Sequence, residues 1–170
     1  MSLLNKIDIR AIWGNHLATL RDERTGKTSR SDLILFFFIP ATIALGFVPL
    51  NVRVSDDALN ILTNALAILA GLLFNLLVVL QGVRWPEDHP LKRTALRLAT
   101  ESYNNIAHAI VVSLVTLVFL VTGANYPFES TGRLVLGTVA SFLVLHFGLT
   151  MFMVLKRMHA MLLNDFASRS

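Results

Sequence analysis

Four stretches of the chain, Leu33–Leu50, Ala58–Val83, Leu98–Thr122 and Leu134–Leu155, are almost free of charge, and each is 18 to 26 residues long. About 20 apolar residues are enough for a helix to cross the hydrocarbon of a bilayer. A backbone in lipid must satisfy its own hydrogen bonds, so runs of this length are expected to be helical. The intervening segments are too short to stand alone, since soluble units below ~40 residues usually need disulfides, metal or a partner to fold. Composition agrees, with 54% hydrophobic and 15% charged residues, where soluble domains carry about 25% charge. Soluble enzymes and DNA-binding modules are thereby excluded. The chain has no cysteine, which also removes disulfides, thiolate metal sites, iron–sulfur clusters and cysteine nucleophiles.

The basic residues set an orientation. Of the 15 Lys and Arg, all but Arg53 and Arg133 fall in residues 1–32, in the 84–97 connection or after residue 155. Positive charge is retained on the cytoplasmic side of a membrane, so both termini and the 84–97 loop are expected inside and the two short loops outside. The sequence pI near 10 has the same origin, because Lys and Arg beside helix ends favour anionic headgroups; nucleic-acid binding is not implied. The first apolar run starts after six basic residues and lacks a small-x-small cleavage site, so it reads as a retained signal-anchor helix.

Ahead of that run, residues 1–20 mix Leu3, Leu4, Ile7, Ile12, Trp13 and Leu17 with Lys6, Asp8 and Arg10, a pattern that predicts an amphipathic interfacial helix with Trp13 at headgroup level. Trp13, Arg21, Arg24, Arg84, Lys92 and Arg93 are the expected contacts to lipid headgroups or to a partner. Thr25-Gly26-Lys27-Thr28 imitates the end of a phosphate loop, but Arg21 stands where the loop needs glycine and no strand precedes it. Pro40 sits inside the first span, where it removes a backbone donor. Ala67 and Gly71 in the second span, with Gly137, Ser141 and Gly148 in the fourth, are small enough for close helix packing. Met151, Met153, Met158 and Met161 could recruit copper(I), but methionines in a greasy helix are ordinary gap fillers. Ser113, Thr116 and Ser141 lack the adjacent base that a nucleophile needs, and no enzyme and no metal centre are expected.

Rise per residue places a polar layer inside the membrane. At ~1.5 Å per residue, Pro40, Asn75, His108 and His146 all lie roughly 12–15 Å from the cytoplasmic edge. Glu101 and Asn105 precede His108 on one helix face and would form a vestibule below it. Intramembrane ionisable groups face a bundle interior, a partner or water, and are functional candidates by default. Three readings are open. In the first, the layer lines a hydrated path through an oligomer, with Glu101 drawing cations to the inner mouth. In the second, His108 and His146 are the two axial ligands of haem b in an electron-transfer subunit. In the third, the side chains are glue between helices of a non-conducting membrane anchor.

Ile39-Pro40 in the first span, the basic 84–97 connection followed by Tyr103, and His146 after Ser141-Phe142 resemble the small four-helix phage-exclusion membrane proteins of the RexB type. In size, the chain is also similar to the four-helix component of the Kiwa defence system. The resemblance implies an inner-membrane protein that depolarises the cell when a soluble sensor detects phage infection, with the sensor docking on the cytoplasmic basic segments. The expected architecture is an all-α, polytopic four-transmembrane-helix up-down bundle over residues 32–155. A basic N-terminal segment, 1–31, and a helical tail, 156–170, are expected on the cytoplasmic side. The expected behaviour is that of a homo-oligomeric, channel-like effector in the bilayer with a cytoplasmic partner. Orientation is testable with fusions: a cytoplasmic fluorescent reporter at the C-terminus should fluoresce and a periplasm-dependent phosphatase in the 123–133 loop should be active, and the reverse pattern would contradict the charge argument.

Overall fold

The computed structural model describes residues 9–20, 29–51, 54–82, 92–126 and 129–167. These residues form helices and no strand. The order is α1 (Arg10–Thr19), α2 (Arg30–Leu33), a π-helix (Ile34–Phe38), α3 (Ile39–Gly46), α4 (Asp56–Gly82), α5 (Lys92–Asn125) and α6 (Ser130–Ala167). Three of these helices are long and apolar enough to cross a membrane, spanning Asp56–Gly82, Arg93–Asn125 and Ser130–Leu163. The described residues are those of a helical membrane protein. The first apolar run is not a single α-helix; it is divided among the end of α2, the π-helix and α3, and closes in a turn at Asn51, whose φ of 49° is a left-handed conformation that asparagine tolerates. Ser29 caps α2 by accepting from the Asp32 amide at 3.2 Å, as a hydroxyl does for free amides at a helix start. The π-helix follows from one extra residue per turn: the Ile39 N–H reaches back to the Ile34 carbonyl.

Helix α5 is the axis of the bundle. Half of its apolar window is buried, against 17% in α4 and 28% in α6, because α1, α4 and α6 all pack on it. Leu59, Leu66, Leu73 and Leu80 of α4 are buried at intervals of seven, the repeat that keeps one seam facing a neighbouring helix. Opposite them α5 presents Ile106, Ala109, Val112 and Leu120, and α6 adds Leu136, Ala140, Phe147 and Val154. Ion pairs tie the ends. Arg133 Nη1 at the start of α6 meets Asp56 Oδ1 at the start of α4 at 2.6 Å. At the other end Arg157 of α6 lies 3.2 Å from Glu101 of α5 and donates to the Thr19 carbonyl of α1 at 2.9 Å.

The small residues divide into two groups. Gly123 and Gly137 mark close approaches: a Cβ at Gly123 would overlap the Leu136 side chain, and one at Gly137 would come within 2.8 Å of Val54 Cγ2. A Cβ on Gly71 or Gly148 would meet nothing within 4 Å; Ala67 and Gly71 lie on the exposed face of α4, while Ser141 and Gly148 are half-buried on α6. Gly123→Ala should therefore lower the unfolding midpoint in detergent, by roughly 1–3 kcal/mol of overpacking. Gly148→Ala should leave it equal or raise it, by ~0.5–1 kcal/mol of helix propensity. Equal effects at both positions would contradict the packing described.

Candidate functional site

The site begins with a missing hydrogen. Proline has no backbone N–H, so Pro40 cannot bond the carbonyl four residues back, which is that of Phe36. Pro40 is buried and the Phe36 carbonyl faces α6, where it accepts from Nδ1 of His146 at 2.9 Å. An oxygen can only accept, so Nδ1 carries the proton. In a neutral ring this leaves Nε2 bare. That nitrogen lies 3.1 Å from Nε2 of His108 on α5, which must therefore donate to it, leaving the His108 Nδ1 bare. The two rings meet at 88° with centroids 5.4 Å apart.

A third imidazole completes the group. His16 of α1 stacks flat on His108, with centroids 3.8 Å apart and 5° between the ring planes. Its Nδ1 lies 2.9 Å from Oδ1 of Asn105, one turn before His108 on α5. The Thr19 hydroxyl is 2.9 Å from the same oxygen. Burial, working against the Asn105 hydrogen bond, lowers the His16 pKa to about 4; the ring is neutral near pH 7 and keeps one bare nitrogen. His16, Asn105 and His108 are 0% exposed and His146 is 1% exposed. Aromatic rings enclose them: Trp13 sits edge-on to His108 at 4.6 Å, Phe37 is tilted against His146 at 4.9 Å and Phe142 stacks on it at 6.0 Å.

A cleft of about 680 Å³ adjoins the cluster, lined by Thr19, Asp32, Phe36, Glu101, Lys156 and Arg157 among others. Thr19 and Phe36 belong to both, so the cleft and the cluster share a wall. Glu101 is held there by Arg157 and, at 3.8 Å, by Arg97. Farther from the cleft than His108, α5 holds Ser113 and Thr116, and between His146 and the cleft α6 holds Thr150; all three are fully buried and their hydroxyls bond carbonyls of their own helices.

Of the layer expected from depth, the structure brings together His108, His146, Asn105 and, through the Phe36 carbonyl, Pro40. Asn75 is separate, exposed on the outer face of α4. Trp13, expected at headgroup level, packs its ring against His108 in a T-shaped pair. Arg93 is exposed at the start of α5. Arg21, Arg24 and Arg84 lie outside the described residues, as does the Lys92 side chain. His16 was not singled out by sequence; its one signal is that Trp13, His16 and Leu20 fall at i, i+3 and i+7 on a common helix face, and His16 is the buried residue of α1.

The cluster does not suit haem. Metal–imidazole bonds are ~2.0–2.1 Å, so trans ligands stand about 4 Å apart across a porphyrin, whereas the two Nε2 atoms are 3.1 Å apart with a third ring stacked on one of them. The three histidines do have ligand atoms all within 4.8 Å of one another, a spacing a single ion can gather. No protein-family model, curated protein or solved structure matches the chain. His16→Ala removes both the stacking and the Asn105 bond that hold α1; the loss of about 2 kcal/mol should speed amide exchange along α1 by ~30-fold, with α4 exchange unchanged. Unaltered α1 exchange would mean that its docking rests elsewhere.

Proposed function

We propose that the chain is a four-span membrane protein, with α2, the π-helix and α3 forming the first span, and that it acts as a homo-oligomeric, channel-like effector that lowers the membrane potential. Both ends lie in the cytoplasm, and the membrane is the bacterial inner membrane. One observation carries this reading: the polar side chains buried at membrane depth are continuous with a charged cleft. Ser102, Asn105 and His108 follow one another along α5 from Glu101 inward, all fully buried. Buried polar and ionisable groups inside a bilayer mark ion or proton paths by default.

Within one chain the route stops at Leu120 of α5 and Leu136 of α6, which share the apolar core with the leucines of α4, so conduction requires several copies or a loosened bundle. The outer face of α4 supports assembly. Asn60, Asn64, Ala67, Gly71 and Asn75 are all exposed on it, and intramembrane asparagines gain partners across a helix interface. The resemblance to phage-exclusion proteins supports a role in antiviral defence, with a cytoplasmic sensor bound at the basic segments around α5 and α6. The arrangement offers no activated nucleophile, and we assign no enzymatic step.

The test is dye-reported cation flux in proteoliposomes. Wild-type protein should dissipate an imposed potential; Asn105→Leu and His108→Ala should slow this at least tenfold at equal incorporation, and Asn75→Leu should reduce the oligomer fraction in mild detergent. Wild-type protein that forms no leak in any lipid would overturn the effector reading and leave the histidines as glue between helices.

A further inference from the structure

We propose that His16, His108 and His146 form a three-histidine binding site for a divalent first-row transition-metal ion, with zinc as the reference ion. Three elements distant in sequence contribute one imidazole each: α1, α5 and α6. Their ligand atoms lie within 4.8 Å of one another, and the His108 and His146 Nε2 atoms are 3.1 Å apart. Two imidazoles on one tetrahedral ion, at ~2.0–2.1 Å each, stand about 3.3 Å apart. That pair is thus within a few tenths of an ångström of a ligating geometry.

The surroundings match a metal site in a second, independent respect. Histidine ligands characteristically give their other N–H to an oxygen acceptor, which fixes the tautomer and aims the bare nitrogen at the ion. His146 does so to the Phe36 carbonyl at 2.9 Å, and His16 to Asn105 Oδ1 at 2.9 Å. What remains is the polarity that the protein leaves unused. His16 Nε2 is buried without a hydrogen-bond partner, an arrangement that folded proteins avoid unless a ligand or water takes the lone pair. An ion at the two facing Nε2 atoms moves the His108 proton from Nε2 to Nδ1, so no proton need leave the site. His16 must tilt out of its stack on His108 to turn its Nε2 to the same ion.

The donor set selects the class of ion. Imidazole nitrogens suit zinc, copper, nickel and iron, whereas calcium and magnesium require oxygen. Three neutral histidines also leave a coordination position for water or a small anion, the pattern of open rather than closed zinc sites. Because His16 is the buried residue of α1, the ion would fasten α1 to α5 and α6. This site stands apart from the conduction reading, since an ion could bind whether or not the bundle conducts.

The test uses the purified full chain in detergent, stripped with chelator and titrated with Co2+, whose visible absorption reports its ligands, then with Zn2+ in competition. One ion per chain is expected, with micromolar or tighter affinity. His16→Gln, His108→Gln and His146→Gln should each weaken binding at least 30-fold, while His159→Gln, at an exposed position of α6, should leave it unchanged. Helicity is measured alongside; a His108 or His146 variant that fails to fold does not affect the outcome, because His16 lies on a peripheral helix and its variant decides the matter. Wild-type protein that binds no stoichiometric Co2+ or Zn2+, or binding that survives His16→Gln, would overturn the site.

Discussion

A single hydrogen bond, from the His146 imidazole to the Phe36 carbonyl, sets the chemistry of the bundle interior. The carbonyl is available because Pro40 has no N–H to give it, and in hydrocarbon an unpaired carbonyl costs several kcal/mol. The imidazole satisfies it and in doing so fixes its own tautomer. His146 then has only an acceptor to offer His108, His108 turns its N–H toward it, and the exposed face of that second ring is covered by His16. A proline in one segment is thereby coupled to the docking of a helix that precedes it in sequence.

Around this joint the packing is conventional, and it explains why the joint sits where it does. Leucines at intervals of seven pin α4 to one side of α5, and the ion pair Arg133–Asp56 closes one end of the bundle. The other side of α5 is left to α1 and α6, and there the buried polar residues His16, Asn105, His108 and His146 sit among the apolar ones. At the opposite end Arg157 bridges Glu101 and the Thr19 carbonyl. The effector reading uses the continuity from that charged cleft to the histidines, and the metal reading uses the geometry of the histidines themselves. The two make separate demands on the same residues.

Legibility in the sequence followed the physics of each signal. Long apolar runs are read directly as membrane helices, since nothing else buries so much hydrocarbon in so few loops, and α4, α5 and α6 match three of them. The first run was harder, because Pro40 and the π-helix divide it into pieces that periodicity does not anticipate. Rise per residue put Pro40, Asn75, His108 and His146 at one level, but it fixes depth and not azimuth. The imidazoles of α5 and α6 turn inward to meet, while Asn75 of α4 turns outward. His16 is out of reach for a different reason: its Asn105 partner is 89 residues away, and the face it shares with Trp13 and Leu20 reads equally well as one turned to lipid headgroups. The three-ring cluster is a tertiary fact, created by contacts between elements that carry no local trace of one another.

The most direct test is nitrogen NMR of 15N-histidine-labelled protein in lipid, which reports the protonated nitrogen of each ring and couplings across N–H···N bonds. For metal-free protein the account predicts His146 as the Nδ1–H tautomer, with a coupling between the Nε2 nitrogens of His108 and His146. His146 found as the Nε2–H tautomer, or both rings averaging between tautomers with no coupling, would contradict it.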